Sequence, residues 1–457
     1  MIAERVLAGE VLDEQSLSEF VRTRRWFGSK AEEVAHVGLA DGVVVRSQSP
    51  LLVAAVVEVR FHTGTHELYQ LLLGLRPHED GWTEDVIETA GEYVVYEALA
   101  DPALARELVH LMRGESTIRG EDAVVEFRPA NLGGYGPDLS EARLLGAEQS
   151  NTSVVFGDDL ILKVYRRLEA GVNPELELLR FLTELGFPNV AALAGWYQYS
   201  GRLIDTTLGI LQAYVPNARD GWELALAELV PAPDRFLSRL RRLGEVTGEL
   251  HGALASDSLD PDFAPAEPSA ESLALVVATV DEEIERIFLD LPEDDRLAPI
   301  AGRGEEVRER LRLISNAGPL GRVIRTHGDY HLGQVLWSGD DWVVLDFEGE
   351  PARSLAERRL KRSPLRDVAG MLRSFAYVAS TVEGAPDGWE DRARAEFLAG
   401  YFEYVDTSIV PPGGEGRDRL LEVFELEKAV YELRYELNHR PDWIGIPVAG
   451  IARLLEP

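Results

Sequence analysis

The chain has no cysteine in 457 residues and only four lysines, Lys30, Lys163, Lys361 and Lys428. The first absence excludes disulfides and thiolate chemistry without fixing a compartment. The second makes each lysine worth explaining, because the other basic residues are all arginines. Positive charge is short overall: 46 basic against 79 acidic side chains leave a formal net charge of −33. Such a surface repels nucleic acid and anionic membranes, and an anionic ligand needs cations concentrated locally. No run of about 18 apolar residues occurs, so a membrane span is not expected. The first residues, Met1-Ile-Ala-Glu-Arg5, lack the long apolar core of a secretion signal. A cytoplasmic protein is the expectation.

What is present suffices for large cores: 45% apolar residues with 8 Trp, 14 Tyr and 15 Phe. The length suggests about three domains at roughly 150 residues each. In residues 1–100, Leu51 to Phe61 and Glu67 to Leu75 read as two strands around a Thr-Gly-Thr turn, within a small α+β unit. Residues 101–216 show short apolar stretches between Gly-rich turns. An antiparallel sheet is expected from Ala123–Phe127, Leu144–Ala147, Thr152–Phe156, Leu160–Tyr165 and Gly209–Val215. Residues 217–457 turn helical, as in Phe236–Ala253, Leu273–Leu289 and Glu305–Ile314, with a proline-rich loop over 256–272. A sheet-rich region followed by a helical one predicts an α+β, two-lobed, kinase-like layout.

The decisive stretch is Thr326-His-Gly-Asp-Tyr-His-Leu-Gly-Gln334, followed by the apolar run Trp342 to Leu345 and Asp346-Phe-Glu-Gly-Glu-Pro351. Phosphoryl transfer needs a carboxylate to orient the attacking hydroxyl and oxygen ligands for Mg²⁺. Protein kinases supply an Asp, an amide five residues on, and a second Asp across a hairpin. Here Asp329, Gln334 and Asp346 stand at those spacings, with Gln for the usual Asn and Glu348 for the Gly of D-F-G. His327 and His331 lie four apart, as a helical zinc pair would. Gly328 and Gly333 argue for a loop instead, and no Glu sits between the histidines.

Lys163 lies in the apolar strand Leu160–Tyr165, where an ammonium needs an anionic partner. ATP phosphates together with a helix carboxylate would provide one. The following segment is a helix capped by Asn173, with Pro174 in its first turn and Gly186 and Pro188 ending it. Leu176, Leu179, Leu182 and Leu185 form its apolar side. Both Glu175 and Glu177 lie in the first turns; Glu177 is the chosen partner of Lys163. No G-x-G-x-x-G precedes Lys163. The polar stretch Glu148 to Ser153 stands between the candidate strands, so Gln149, Ser150, Asn151, Thr152 and Ser153 are read as phosphate-binding. Gln212 and Tyr214, at the end of the last strand, are further nucleotide-site candidates.

Taken together, Arg24-Arg-Trp-Phe-Gly-Ser-Lys30, Glu148–Ser153, His327–Gln334, Asp346–Pro351, Ser363–Ser374, Glu427-Lys-Ala-Val-Tyr-Glu432 and Asn438–Trp443 resemble the bacterial maltokinases. The resemblance runs from residue 24 to 443. It implies a eukaryotic-protein-kinase-like fold preceded by an N-terminal cap domain. It also implies ATP- and Mg²⁺-dependent phosphorylation of maltose at its anomeric hydroxyl, serving glycogen or α-glucan synthesis from trehalose, and association with trehalose synthase. The related glucosamine kinases share the core motifs, so an aminosugar or aminoglycoside acceptor stays open, and a catalytically silent scaffold is the non-enzyme alternative.

In this reading Asp329 is the base, and Gln334, Asp346 and Glu348 hold the metal. The acceptor site is sought on the helix carrying Phe424, Lys428, Tyr431 and Tyr435, spaced four, three and four to share one side, with the acids Glu427, Glu432 and Glu436 alongside. His331 and Trp443 are the other sugar-contact candidates, and the polar residues of Ser363–Ser374 are read as structural.

Overall fold

The computed structural model describes residues 2–130, 138–146, 150–315 and 320–456. The chain forms two compact units, one of Met1–Thr183 with Ala191–Pro216, the other of Glu184–Val190 with Asn217–Pro457.

In the first unit, Leu51–Phe61 and His66–Pro77 pair antiparallel around a turn where Gly64 has φ +89°. Side chains alternate along such strands, yet Leu51 to Val57 are buried without interruption. Both faces are covered. Val53, Ala55 and Val57 pack with Ala3, Val6, Leu17, Phe20 and Trp26 from the N-terminal helices and the segment after them. Leu52, Ala54 and Val56 join a second core with Val125, Phe127, Val154, Leu162 and Tyr197. That second core belongs equally to a seven-stranded antiparallel sheet. Its order is Thr117–Arg119, Val124–Pro129, Leu193–Ser200, Asp205–Ala213, Leu160–Tyr165, Asn151–Phe156 and Ala142–Leu145. Residues 1–100 therefore hold one hydrophobic core of their own and share a second with the seven-stranded sheet.

Polar groups tie the same two sheets together. The Gln70 amide donates to Tyr165 O and Leu208 O and accepts from the Tyr197 hydroxyl. Every hydrogen-bonding capacity of the buried amide is matched, so its burial costs little.

The second unit is helical apart from a three-stranded sheet of Arg219–Asp220, Val335–Ser338 and Asp341–Val344. Helices Pro233–Leu254 and Trp389–Tyr404 meet backbone to backbone. A Cβ on Gly244 would lie 2.0 Å from Phe397 O, and one on Gly400 would lie 2.1 Å from Arg241 O. The segment 255–269 is a loop, as its prolines predict, and helices Ala270–Leu289 and Gly304–Ile314 follow. No helix among the described residues is long and apolar enough to cross a membrane.

Candidate active site

The loop carrying Asp329 is built from the inside outward. Asp367, in the helix Leu365–Thr381, is 2% exposed and accepts from two successive backbone N–H groups, those of His327 (2.8 Å) and Gly328 (2.9 Å). Its Oδ2 also meets His251 Nε2 at 3.2 Å, and His251 Nδ1 meets the Tyr401 hydroxyl at 3.0 Å. Burial alone would raise the Asp367 pKa; the hydrogen bond from His251, joined by that of the Gly328 N–H, outweighs it and holds the carboxyl below its usual range. Burial pushes Tyr401 far up, so its hydroxyl stays protonated and donates to Nδ1, leaving Nε2–H for Asp367.

His327 works inside this frame. Its Nδ1 accepts from Asp329 N at 3.3 Å, so the proton is on Nε2, which donates to Leu345 O at 2.7 Å. Both ring nitrogens are engaged in holding the loop, and the zinc-pair alternative finds no support in them. Gly328 takes φ +87° and Gly349 φ +76°; a Cβ on Gly328 would come 3.2 Å from Gly349 Cα. The loops before Asp329 and after Asp346 thus touch at two glycines.

The hairpin Val335–Ser338/Asp341–Val344 brings the next two residues together. Val335 pairs with Val344, and Leu345 N donates to Gln334 O at 2.9 Å, so Gln334 and Asp346 flank the same end of the ladder. Asp346 has φ +59°, a left-handed conformation that is uncommon outside glycine and recurs at functional sites. Asp346 and Glu348 each present a carboxylate oxygen within 4.8 Å of the other. Two carboxylates and an amide make an all-oxygen donor set, which suits a hard divalent cation such as Mg²⁺.

Asp329 faces a cavity of about 620 Å³. His331, Lys428, Tyr431, Tyr435 and Trp443, all named from the sequence, line it as well. The sequence reading missed Trp222 and Tyr377, and had treated Arg373 as structural. Arg373 is buried and binds the Glu432 carboxylate (2.7 Å), while Arg440 (2.8 Å) and the Tyr377 hydroxyl (3.0 Å) bind Glu436. Tyr377 also stacks on Trp443 at 5.9 Å. The acids in this wall are thereby matched by arginines. His331 Nδ1 accepts from Gly333 N, and its Nε2 lies 4.0 Å from Asp329 Oδ2.

One sugar-platform expectation is corrected. Phe424 is buried in the core beneath the Arg366 guanidinium and lines neither cavity. Glu427 binds Arg366 at 2.6 Å and lines a neighbouring cavity of about 300 Å³, whose walls include Lys428 and Tyr431. The four-three-four spacing does keep Phe424 on the side of Lys428, Tyr431 and Tyr435, but it stands one turn before Lys428, where that side is packed into the core.

In the first unit, Lys163 Nζ pairs with Glu175 Oε2 at 2.9 Å, and the Tyr165 hydroxyl donates to the same oxygen at 2.8 Å. Choosing Glu177 for this pair was an error. Residues two apart on a helix point about 200° from each other, and Asn173 Oδ1, capping Glu175 N at 2.8 Å, sets which one turns inward. Glu175 is 1% exposed, and Glu177 is only partly buried.

Asn151, Thr152 and Ser153 belong to one strand, which begins a residue before the expected Thr152, in register with Tyr165, Val164 and Lys163. Alternation places Asn151 and Ser153 with Lys163 and sends Thr152 to the opposite face, where its hydroxyl accepts from Arg166 Nε at 2.8 Å. Ser150 is exposed, and Gln149 lies outside the described residues. Gln212 is a buried strand residue opposite Ile161, and Tyr214 follows that strand with its hydroxyl 3.3 Å from Arg143.

Comparison with known proteins agrees with these elements. Residues 141–405 match the Phosphotransferase enzyme family, and residues 20–101 match the Maltokinase N-terminal cap domain. The glucosamine kinase of Mycolicibacterium smegmatis (strain ATCC 700084 / mc(2)155) is 29% identical over 335 residues, covering 69% of this chain and 79% of its own. That of Streptacidiphilus jiangxiensis is 27% identical over 339 residues, covering 70% and 75%. A solved glucosamine kinase in complex with glucosamine, ADP and inorganic phosphate superposes with TM-score 0.69 at 21% identity, over 96% of this chain and 99% of that one. The kinase-like α+β fold with an N-terminal cap is thereby shown, and the chain belongs to the phosphotransferase enzyme family as a kinase acting on an alcohol group.

Proposed function

We propose that this protein is an ATP-dependent sugar kinase that phosphorylates maltose at its anomeric hydroxyl, releasing maltose 1-phosphate and ADP. The observation carrying this reading is the 620 Å³ cavity that combines Asp329 with aromatic rings and arginine-neutralised acids. Tyr431, Tyr435 and Trp443 offer faces for pyranose stacking, and Lys428 donates to hydroxyls. Glu432 and Glu436 are already matched by Arg373 and Arg440, which favours a neutral polyol over an ammonium-bearing acceptor. Asp329 accepts the proton of the anomeric hydroxyl as the new O–P bond forms, an easier transfer than from an ordinary alcohol. Lys163, held by Glu175, neutralises phosphate charge; Asn151, Ser153, Gln212 and Tyr214 stay nucleotide-site candidates. Gln334, Asp346 and Glu348 would hold Mg²⁺, which when bound shields the triphosphate. The chain is read as a cap (1–100), a nucleotide-binding sheet (101–216) and a catalytic helical region (217–457), acting in the cytoplasm in trehalose-derived glycogen synthesis and alongside trehalose synthase.

A second reading, glucosamine as acceptor, is favoured by the names of the curated relatives. Incubation with Mg·ATP and either maltose or glucosamine, with ADP release measured and the product located by phosphorus NMR, separates the two. Turnover with glucosamine and not maltose would reject the maltose assignment.

A further inference from the structure

The Lys163 strand has a second face that the proposed chemistry leaves unused. On it Arg166 is 1% exposed, donates to Thr152 Oγ1 and to Glu97 Oε2 at 3.1 Å, and lies 5.3 Å from the Trp26 ring. These groups border a cavity of about 400 Å³ lined by Arg24, Arg25, Trp26, Glu97, Thr152 and Arg166, all within the first unit. Its volume is many times the roughly 30 Å³ share of one water.

Charge and unmet hydrogen bonds say what fits. Three guanidinium groups line the cavity against the carboxylates of Glu97 and Asp85, a local cationic excess in a chain of net charge −33. Arg24 gives one nitrogen to Asp85 at 2.9 Å, but its buried Nε has no partner among the described residues. Glu97, 5% exposed, uses Oε2 for Arg166, while its buried Oε1 makes no close hydrogen bond among them, only the Leu99 backbone N–H adding support to the carboxylate's charge. The cavity thus presents one orphaned donor on an arginine and one acceptor without a close partner on a carboxylate. An oxyanion satisfies the first and a hydroxyl the second. Inorganic phosphate alone at neutral pH answers the acceptor poorly, and a neutral sugar leaves the arginines unmatched.

We propose that this cavity binds a small polyol carrying one phosphate, a ligand of the sugar-phosphate class, at a site separate from the Asp329 cavity. Arg24 and Arg25 take the phosphate, and Glu97 takes a hydroxyl. Occupancy would bear on Lys163 through Arg166, three residues on and just past the end of the strand.

Isothermal titration of the full chain with glucose 1-phosphate and, separately, inorganic phosphate tests this. Saturable binding of glucose 1-phosphate, with inorganic phosphate weaker, is expected. Arg24→Gln and Arg25→Gln should each weaken it about tenfold, and Tyr431→Ala, in the other cavity, should leave it unchanged. Arg25 is exposed, so its variant keeps the test valid if Arg24→Gln disturbs folding. Absence of saturable binding, or binding that survives both arginine changes, overturns the site. Phosphate binding as tightly as the sugar ester overturns the polyol half.

Discussion

The Asp329 loop and the Tyr431 helix border one cavity, yet they are fixed by different means. The loop is held at its backbone: a buried carboxylate, Asp367, grips two N–H groups, and His327 ties it to the strand before Asp346. The helix is held at its side chains, by buried Leu426, Val430 and Leu433 and by pairs such as Arg373–Glu432 and Tyr377–Glu436 that reach the cavity surface. A backbone grip fixes where the loop carrying Asp329 stands whatever occupies the cavity. Side-chain pairs leave a wall whose shape and polarity follow residue identity. The first arrangement serves rate, the second selection.

The largest effect should come from the reacting group itself. Asp329→Asn is expected to lower turnover by roughly 10²–10⁴ while leaving nucleotide affinity, read by titration, near its original value. Near-normal turnover would remove the base assignment. Next is the grip: Asp367→Ala strands the N–H groups of buried His327 and of Gly328 together with buried His251, and should destabilise the protein by ~3–5 kcal/mol in chemical denaturation. Because the folded Asp367 pKa is depressed, its stabilisation is full above the unfolded value of about 4 and fades as pH falls below it. The gap in stability between the parent and Asp367→Asn should therefore narrow from pH 7 to pH 3. A constant gap would deny the charged form its role.

The Lys163 pair sharpens the comparison in the other unit. Glu175→Gln should lose most activity and about 3 kcal/mol of stability, whereas Glu177→Gln should change both little. The reverse ranking would restore the discarded partner. The smallest effect belongs to the wall: Tyr431→Ala should raise the acceptor KM about tenfold with kcat nearly kept, as lost stacking predicts. An equal fall in kcat would mean that the helix also positions the reacting atoms.

What could be read in advance follows the same division. Asp329, Gln334 and Asp346 were legible because their spacing is local and a hairpin closes it. The Lys163 strand was legible from an ammonium in an apolar run. Asp367 and His251 were not, since their roles arise between segments 40 and 76 residues from His327. The sole hint was an acid on the apolar side of the helix Leu365–Thr381, where burial demands partners. Glu175 and Glu177 differ by helix phase, which the cap at Asn173 decides and composition does not. Thr152 was read as phosphate-binding because a run of polar residues does not show which of them alternate to the far face of the strand.

The doubly covered sheet at the N-terminal end has a practical corollary. Cutting the chain near residue 100 would strip Leu52, Ala54 and Val56 from Phe127, Leu162 and Tyr197, baring apolar surface on both fragments. Such a truncation should yield aggregates instead of a minimal enzyme, and exchange of this region between relatives will succeed only when its partner sheet travels with it.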